Sequence, residues 1–311
     1  MGTVYFSRVA ILISLLSSVL CRMEAQAGPQ FIRHLPNLTI HRFAQDKIGY
    51  IWIATDNGLC RYNGQLYYYY QNEPEDPTSL PGNRVSDIRC DENGTLWAVT
   101  SEGVCTYDSR LDNFRRLLAM EGLDRAVFNG NRVVCSGPAG MALFDDSGRL
   151  LAEKRDARHG PAVLEADGNG FLWGGVNGGT VFKYDNNLNV CDSLTLPDSV
   201  KFLSSCRDAE GRIWFGTPAG VRIVDPDTGT PVEADDPLNE CIAAVSQSEI
   251  LSLTAVGGTV YIGTQGDNLH QIDIRTRTLK KNIVIGGLPG LNYTSDFSCC
   301  FSDSENNFWI G

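Results

Sequence analysis

The chain has 311 residues, 42% of them hydrophobic, and a formal net charge of −11 from 37 carboxylates against 26 Lys and Arg. That content supports a sizeable core, while the lack of any basic run or patch argues against contact with nucleic acid. Thirty-two glycines, with no long stretch of 3.6-residue periodicity after residue 30, point to a turn-rich all-β fold.

The N-terminus reads as a targeting segment. Arg8 precedes an apolar run from Val9 to Leu20, too short for a comfortable membrane span. Ala25-Gln26-Ala27 then offers a small-x-small cleavage site, so residues 1–27 are expected to be a signal peptide and residues 28–311 the folded domain. Lipid attachment at Cys21 and an uncleaved anchor are the alternatives. Ser18-Val19-Leu20 lacks the small residues that lipoprotein processing prefers.

From residue 46 onward one phrase recurs, Asp-x-x-Gly-x-x-Trp. It is read at Asp46 to Trp52, Asp91 to Trp97, Asp167 to Trp173 and Asp208 to Trp214, and with Asn306 in the Gly place from Asp303 to Trp309. Two weaker copies are centred on Val134 and Tyr261, where Phe128 and Ala255 replace the Asp. The seven centres are spaced by about 43 residues on average, the length of a four-stranded propeller blade.

Each centre sits in a short β-branched and aromatic run bounded by turn residues, as in Tyr50-Ile51-Trp52-Ile53, which predicts a strand. Gly49, Gly94, Asn131, Gly170, Gly211, Gly258 and Asn306 stand three places before the centres. All seven copies are therefore expected to make the same tight hairpin, with the Asp bonding turn amides where it is present. A second Gly turn follows six residues after the centre in the first five copies, often led by Thr, as at Thr55 and Gly58.

A lone sheet of this kind cannot bury both faces, so the blades must stack radially and the tryptophans should pack between them. The expected fold is an all-β, seven-bladed β-propeller with its last blade incomplete. The sequence stops within the second strand of the seventh copy, leaving six full blades plus two strands and an open sheet edge. A fragment or a truncated product is the expectation that follows.

No residue stands out as catalytic, cofactor-binding or metal-ligating. The four His residues (34, 41, 159 and 270) are scattered, and no Cys-x-x-Cys or Cys/His ligand spacing occurs. Asp167-Gly-Asn-Gly170 looks like a nucleotide loop, but it occupies a repeat turn. Most of the cysteines are expected to be buried small hydrophobes, because equivalent positions in different blades lie too far apart to pair. The run Tyr67-Tyr68-Tyr69-Tyr70 reads as a packed blade edge; a sugar-stacking platform is the sharper alternative. Asn-x-Ser/Thr matches stand at Asn37, Asn93 and Asn292.

The phrase Asp-x-x-Gly-x-x-Trp-x-x-Thr-x-x-Gly-Leu resembles the two-component regulator propeller repeat. Asp46 to Leu59 and Asp91 to Val104 match nearly throughout, and Asp208 to Val221 matches well. The linker from Glu73 to Asn83, with its Asp-Pro-x-Ser-Leu, is also similar to that family.

The resemblance implies a periplasmic sensing domain of a hybrid two-component histidine kinase. It further implies an oligosaccharide ligand, a homodimer in the full-length protein, an inner-membrane anchor, and no enzymatic activity or nucleic-acid contact in this portion. A glycan-active propeller enzyme, sialidase-like or lyase-like, and a protein-interaction scaffold are the alternatives. Ligand loops would lie around one mouth of the channel, where repeat identity fades, so no binding residue can be named.

Overall fold

A computed structural model describes residues 39–311, apart from 156–159, 197–200, 233–235, 246–247, 266–267, 281–282 and 285–297. The expected signal peptide, residues 1–27, lies outside the described residues. Everything described belongs to one unit running from Leu38 to Gly311.

The described residues build an all-β propeller. Six sheets follow one another along the chain, over residues 40–70, 85–119, 125–154, 163–195, 204–231 and 250–284; these are blades 1 to 6. The first five are antiparallel four-stranded meanders, and the sixth carries a fifth short strand. The expectation of seven blades is corrected to six. Where the seventh copy falls, Cys300–Ser302 and Phe308–Ile310 form a two-stranded sheet. The described helix, Leu238–Ala243, lies between blades 5 and 6.

The Asp carboxylate explains the repeat. In blade 1, Asp46 Oδ1 accepts from the amides of Ile48, Gly49 and Tyr50 at 3.0, 3.0 and 2.9 Å. Its Oδ2 accepts from the indole Nε1 of Trp52 at 2.8 Å. The same carboxylate–indole bond joins Asp91 to Trp97, Asp167 to Trp173, Asp208 to Trp214 and Asp303 to Trp309. A buried indole N–H needs an acceptor, and the turn supplies one. The bond explains why Asp and Trp vanish together in the third and sixth copies.

Those two copies also turn differently, which corrects the expectation of one shared hairpin. In the Asp copies a five-residue loop separates the paired ends, Gln45 and Ile51, with Gly49 at φ +100°. In blade 3 Asn129 pairs directly with Arg132, and in blade 6 Val256 pairs with Thr259. Each is a two-residue loop whose first residue, Gly130 or Gly257, takes positive φ (60° and 55°). A glycine first in a two-residue hairpin matches the twist of the flanking strands without a capping side chain. The conformationally demanding residue is therefore Gly130, not Asn131, and Gly257, not Gly258.

The core lies between blades, as expected. Trp52 packs with Val85, Ile88 and Ala98 of blade 2, and Trp97 with Ala126, Val133 and Phe144 of blade 3. Trp173 meets Ile213 and Phe215 of blade 5, and Trp214 meets Ile250 and Leu253 of blade 6. These four indoles are 0–1% exposed. Burying a side chain of that size contributes at most about 6 kcal/mol. Trp309 is only partly buried, its ring centroid 6.0 Å from those of both Phe43 and Tyr62 of blade 1.

The Tyr67–Tyr70 strand is a blade edge packed at both ends, with Tyr67 stacked on Tyr62 at 4.6 Å. Tyr70 stacks on Trp52 at 5.7 Å and donates to Asp112 Oδ1 at 2.6 Å, while Tyr69 is 60% exposed. The cysteines behave as small hydrophobes. All nine in the described residues are free thiols, and seven are buried; Cys90 is half-buried and Cys191 exposed.

Candidate ligand-binding channel

The first strand of each blade lies next to the first strand of the following blade, from Ile40–Gln45 in blade 1 to Ile250–Val256 in blade 6. Cys300–Ser302 then neighbours both blade 6 and blade 1, so seven innermost strands close a ring around a central channel. Side-chain bonds seal this last step. Ser298 Oγ donates to the Ile40 carbonyl, and the Ser304 amide donates to Gln45 Oε1 at 2.7 Å.

The innermost strands carry charges into this channel. Arg42 of blade 1 donates from Nε to Asp87 Oδ1 of blade 2 at 2.9 Å. Asp87, fully buried, also accepts from the Ala126 amide of blade 3 at 2.8 Å, and Arg89 Nε stands 3.6 Å from its Oδ2. In blade 4 Glu165 Oε1 accepts from Ser205 Oγ of blade 5 at 2.8 Å. Arg125 of blade 3 reaches past blade 4 to donate to the Leu203 carbonyl, just before the first strand of blade 5, at 3.2 Å.

These groups act on one another. Burial alone would raise the Asp87 carboxyl, but Arg42, Arg89 and Arg125, with the Ala126 amide, outweigh it and hold it below the usual carboxylate range. Burial also works against the charged Arg42, yet Asp87, Glu165 and Cys299 together raise its pKa. Arg125 is the exception. Burial first, then repulsion from Arg42 and Arg89, lowers its pKa in spite of Asp87 and Glu165.

Among the described residues, no three His, Cys, Asp or Glu side chains gather as a metal ion would need. No described helix is long and apolar enough to cross a membrane. The channel residues were not named from the sequence, although a signal existed. Arg42 and Asp87 both stand ten places before a tryptophan, and Arg89 and Glu165 eight before, in strands that are otherwise largely apolar. A charge at such a position has to meet something in the interior.

Comparison with known proteins agrees with this architecture. The profile of the two component regulator propeller family matches residues 34–57 and 79–102, so the chain carries repeats of that family in those segments. A curated relative, Histidine kinase P4 of Formosa agariphila, is 47% identical over 36 residues, 12% of this chain and 3% of that protein. Among solved structures, the extracellular domain of hybrid two component system BT3049 from B. thetaiotaomicron superposes with a TM-score of 0.74 at 20% identity, over 91% of this chain and 40% of that one. A streptogramin B lyase superposes with a TM-score of 0.69 at 12% identity, over 91% of this chain and 93% of the lyase. Likenesses at these identities report the propeller fold. This chain spans less than half the length of the sensor domain and a small part of the kinase.

Proposed function

We propose that this chain, with its two-component regulator propeller repeats, is a ligand-sensing domain of a hybrid two-component system, acting on the periplasmic side of the membrane. The family match at residues 34–57 and 79–102 carries the reading, supported by the likeness to an extracellular domain of such a system. Residues 1–27 are the signal peptide that exports it, and an oligosaccharide is its ligand. The domain itself turns nothing over. It works in a homodimer of the full-length protein, where binding biases a conformational equilibrium that reaches a cytoplasmic histidine kinase through an inner-membrane anchor.

The two-stranded sheet at Cys300–Ser302 and Phe308–Ile310 closes the ring behind the six blades. The Asp303–Trp309 bond repeats that of the Asp-containing blades, and Cys300–Ser302 fills the seventh place in the ring of inner strands.

The test is calorimetric titration of the 311-residue chain against a panel of plant and host oligosaccharides, with product analysis of the same mixtures. Saturable binding of one glycan without cleavage is expected. Turnover would favour the lyase-like alternative, which the likeness to streptogramin B lyase keeps in view. Silence across the panel would favour a protein-interaction scaffold.

A further inference from the structure

We propose that the arginines of the central channel form an oxyanion site, which takes the carboxylate or sulfate group of a small ligand. The channel carries Arg42, Arg89 and Arg125 against Asp87 and Glu165, an excess of one positive charge inside a chain whose net charge is −11. Guanidinium groups do not deprotonate in proteins, so that excess is permanent.

The carboxylates present are already engaged. Asp87 accepts from Arg42, the Ile88 amide and the Ala126 amide, and Glu165 accepts from Ser205. What remains is donor capacity. Arg89 Nε makes no hydrogen bond and only a loose 3.6 Å ion pair with Asp87, and the hydrogen bond of Arg125 goes to a neutral carbonyl, Leu203. Each guanidinium offers five N–H donors in a planar fork that matches two oxygens of a carboxylate or sulfate.

The Arg42 and Arg89 side chains retain 19% and 29% exposure, so part of each guanidinium-bearing chain faces solvent. The repulsion that Arg42 and Arg89 exert on Arg125 is what an entering anion would relieve. The site rests on the sensing reading only for the rest of the ligand. If an oligosaccharide is sensed, an acidic sugar fits this channel better than a neutral one.

The experiment titrates the 311-residue chain with sodium sulfate, with sodium glucuronate and with glucose, at ionic strength matched by sodium chloride. Sulfate, glucuronate or both should bind saturably where glucose does not, and the stronger of the two identifies the acidic group. Arg125→Gln should weaken binding about tenfold or more, and Arg89→Gln, which breaks no hydrogen bond and removes only the 3.6 Å ion pair with Asp87, should weaken it by a smaller factor. Glu165→Gln keeps an acceptor for Ser205 but removes a competing charge, so it should tighten binding several-fold.

Opposite signs for the arginine and glutamate substitutions are the signature of a charge-selective site, because general damage would move all three the same way. Cooperative thermal melts of each variant check that it folds, and Arg89→Gln carries the test if Arg125→Gln does not. The proposal is overturned if both oxyanions behave like chloride at matched ionic strength, or if Arg89→Gln and Glu165→Gln shift affinity in the same direction. Oxyanion binding with no response to any glycan supports the site while sinking the oligosaccharide reading. A glycan bound equally well by wild type and Arg89→Gln does the reverse.

Discussion

Replacing Asp46 by Ala in wild-type and Trp52→Phe backgrounds isolates the bond that defines the repeat. In the wild type, Asp46→Ala removes three turn bonds and the 2.8 Å indole bond. The Ile48 and Gly49 amides are exposed and water replaces their acceptor, so that part costs about 0.5–1.5 kcal/mol. The indole lies in a residue that is 0% exposed, so its N–H is left buried and unpaired, for about 1–3 kcal/mol more. Asp46→Ala alone should therefore cost about 1.5–4.5 kcal/mol. In Trp52→Phe the ring stays apolar and carries no donor, so the same substitution should cost only the turn contribution. The difference, a coupling of about 1–3 kcal/mol, is read from urea denaturation midpoints followed by far-ultraviolet circular dichroism, with denaturant slopes held equal. Strict additivity of the two substitutions, within about 0.5 kcal/mol, would refute the carboxylate–indole link.

Gly58→Ala should destabilise by well over 1 kcal/mol, because φ is +102° and the new methyl would run into the Tyr70 carbonyl. Gly130→Ala, with positive φ but open space around it, should cost only about 1 kcal/mol, and thermal melts of the two variants should rank accordingly. Burial pushes the Cys60 thiol up to about 12 and holds Cys105 and Cys135 higher than an ordinary thiol. Of the nine described cysteines, Cys191 alone should therefore react rapidly with an aromatic disulfide reagent, as peptide mapping after brief labelling would confirm; rapid labelling of Cys105 would contradict the burial.

Asp87→Asn should cost about 3–5 kcal/mol at neutral pH, because it breaks a buried ion pair. The Asp87 carboxyl is lowered on folding, so its contribution is fully present above the unfolded carboxylate pKa of about 3.9 and is lost as pH falls through the folded value. The variant should show a shallower loss of stability below pH of about 4 than the wild type. Parallel pH profiles would remove Asp87 from that role.

Much of the blade was legible because its bonds are local. Asp46 and Trp52 stand six residues apart and close one turn, so their recurrence marked the hairpin, the strand and the packing of the indole. The turns of blades 3 and 6 were misread for the same reason. With neither Asp nor Trp present, aligning Asn131 and Gly258 to Gly49 imposed a five-residue loop on hairpins that need only two. The channel was not read at all. Arg42, Asp87, Arg125 and Glu165 belong to four different blades, and each alone looks like an ordinary charge in a strand.

The sequence by itself determined the period, the antiparallel meander and the burial of the tryptophans, because each depends on contacts made within one blade or between consecutive ones. The tertiary structure decided which charges meet. Closing the inner strands into a ring brings Arg125 to Leu203 and puts Arg42 within the electrostatic reach of Glu165. No local spacing encodes that proximity, because it is a property of the closed ring and not of any blade.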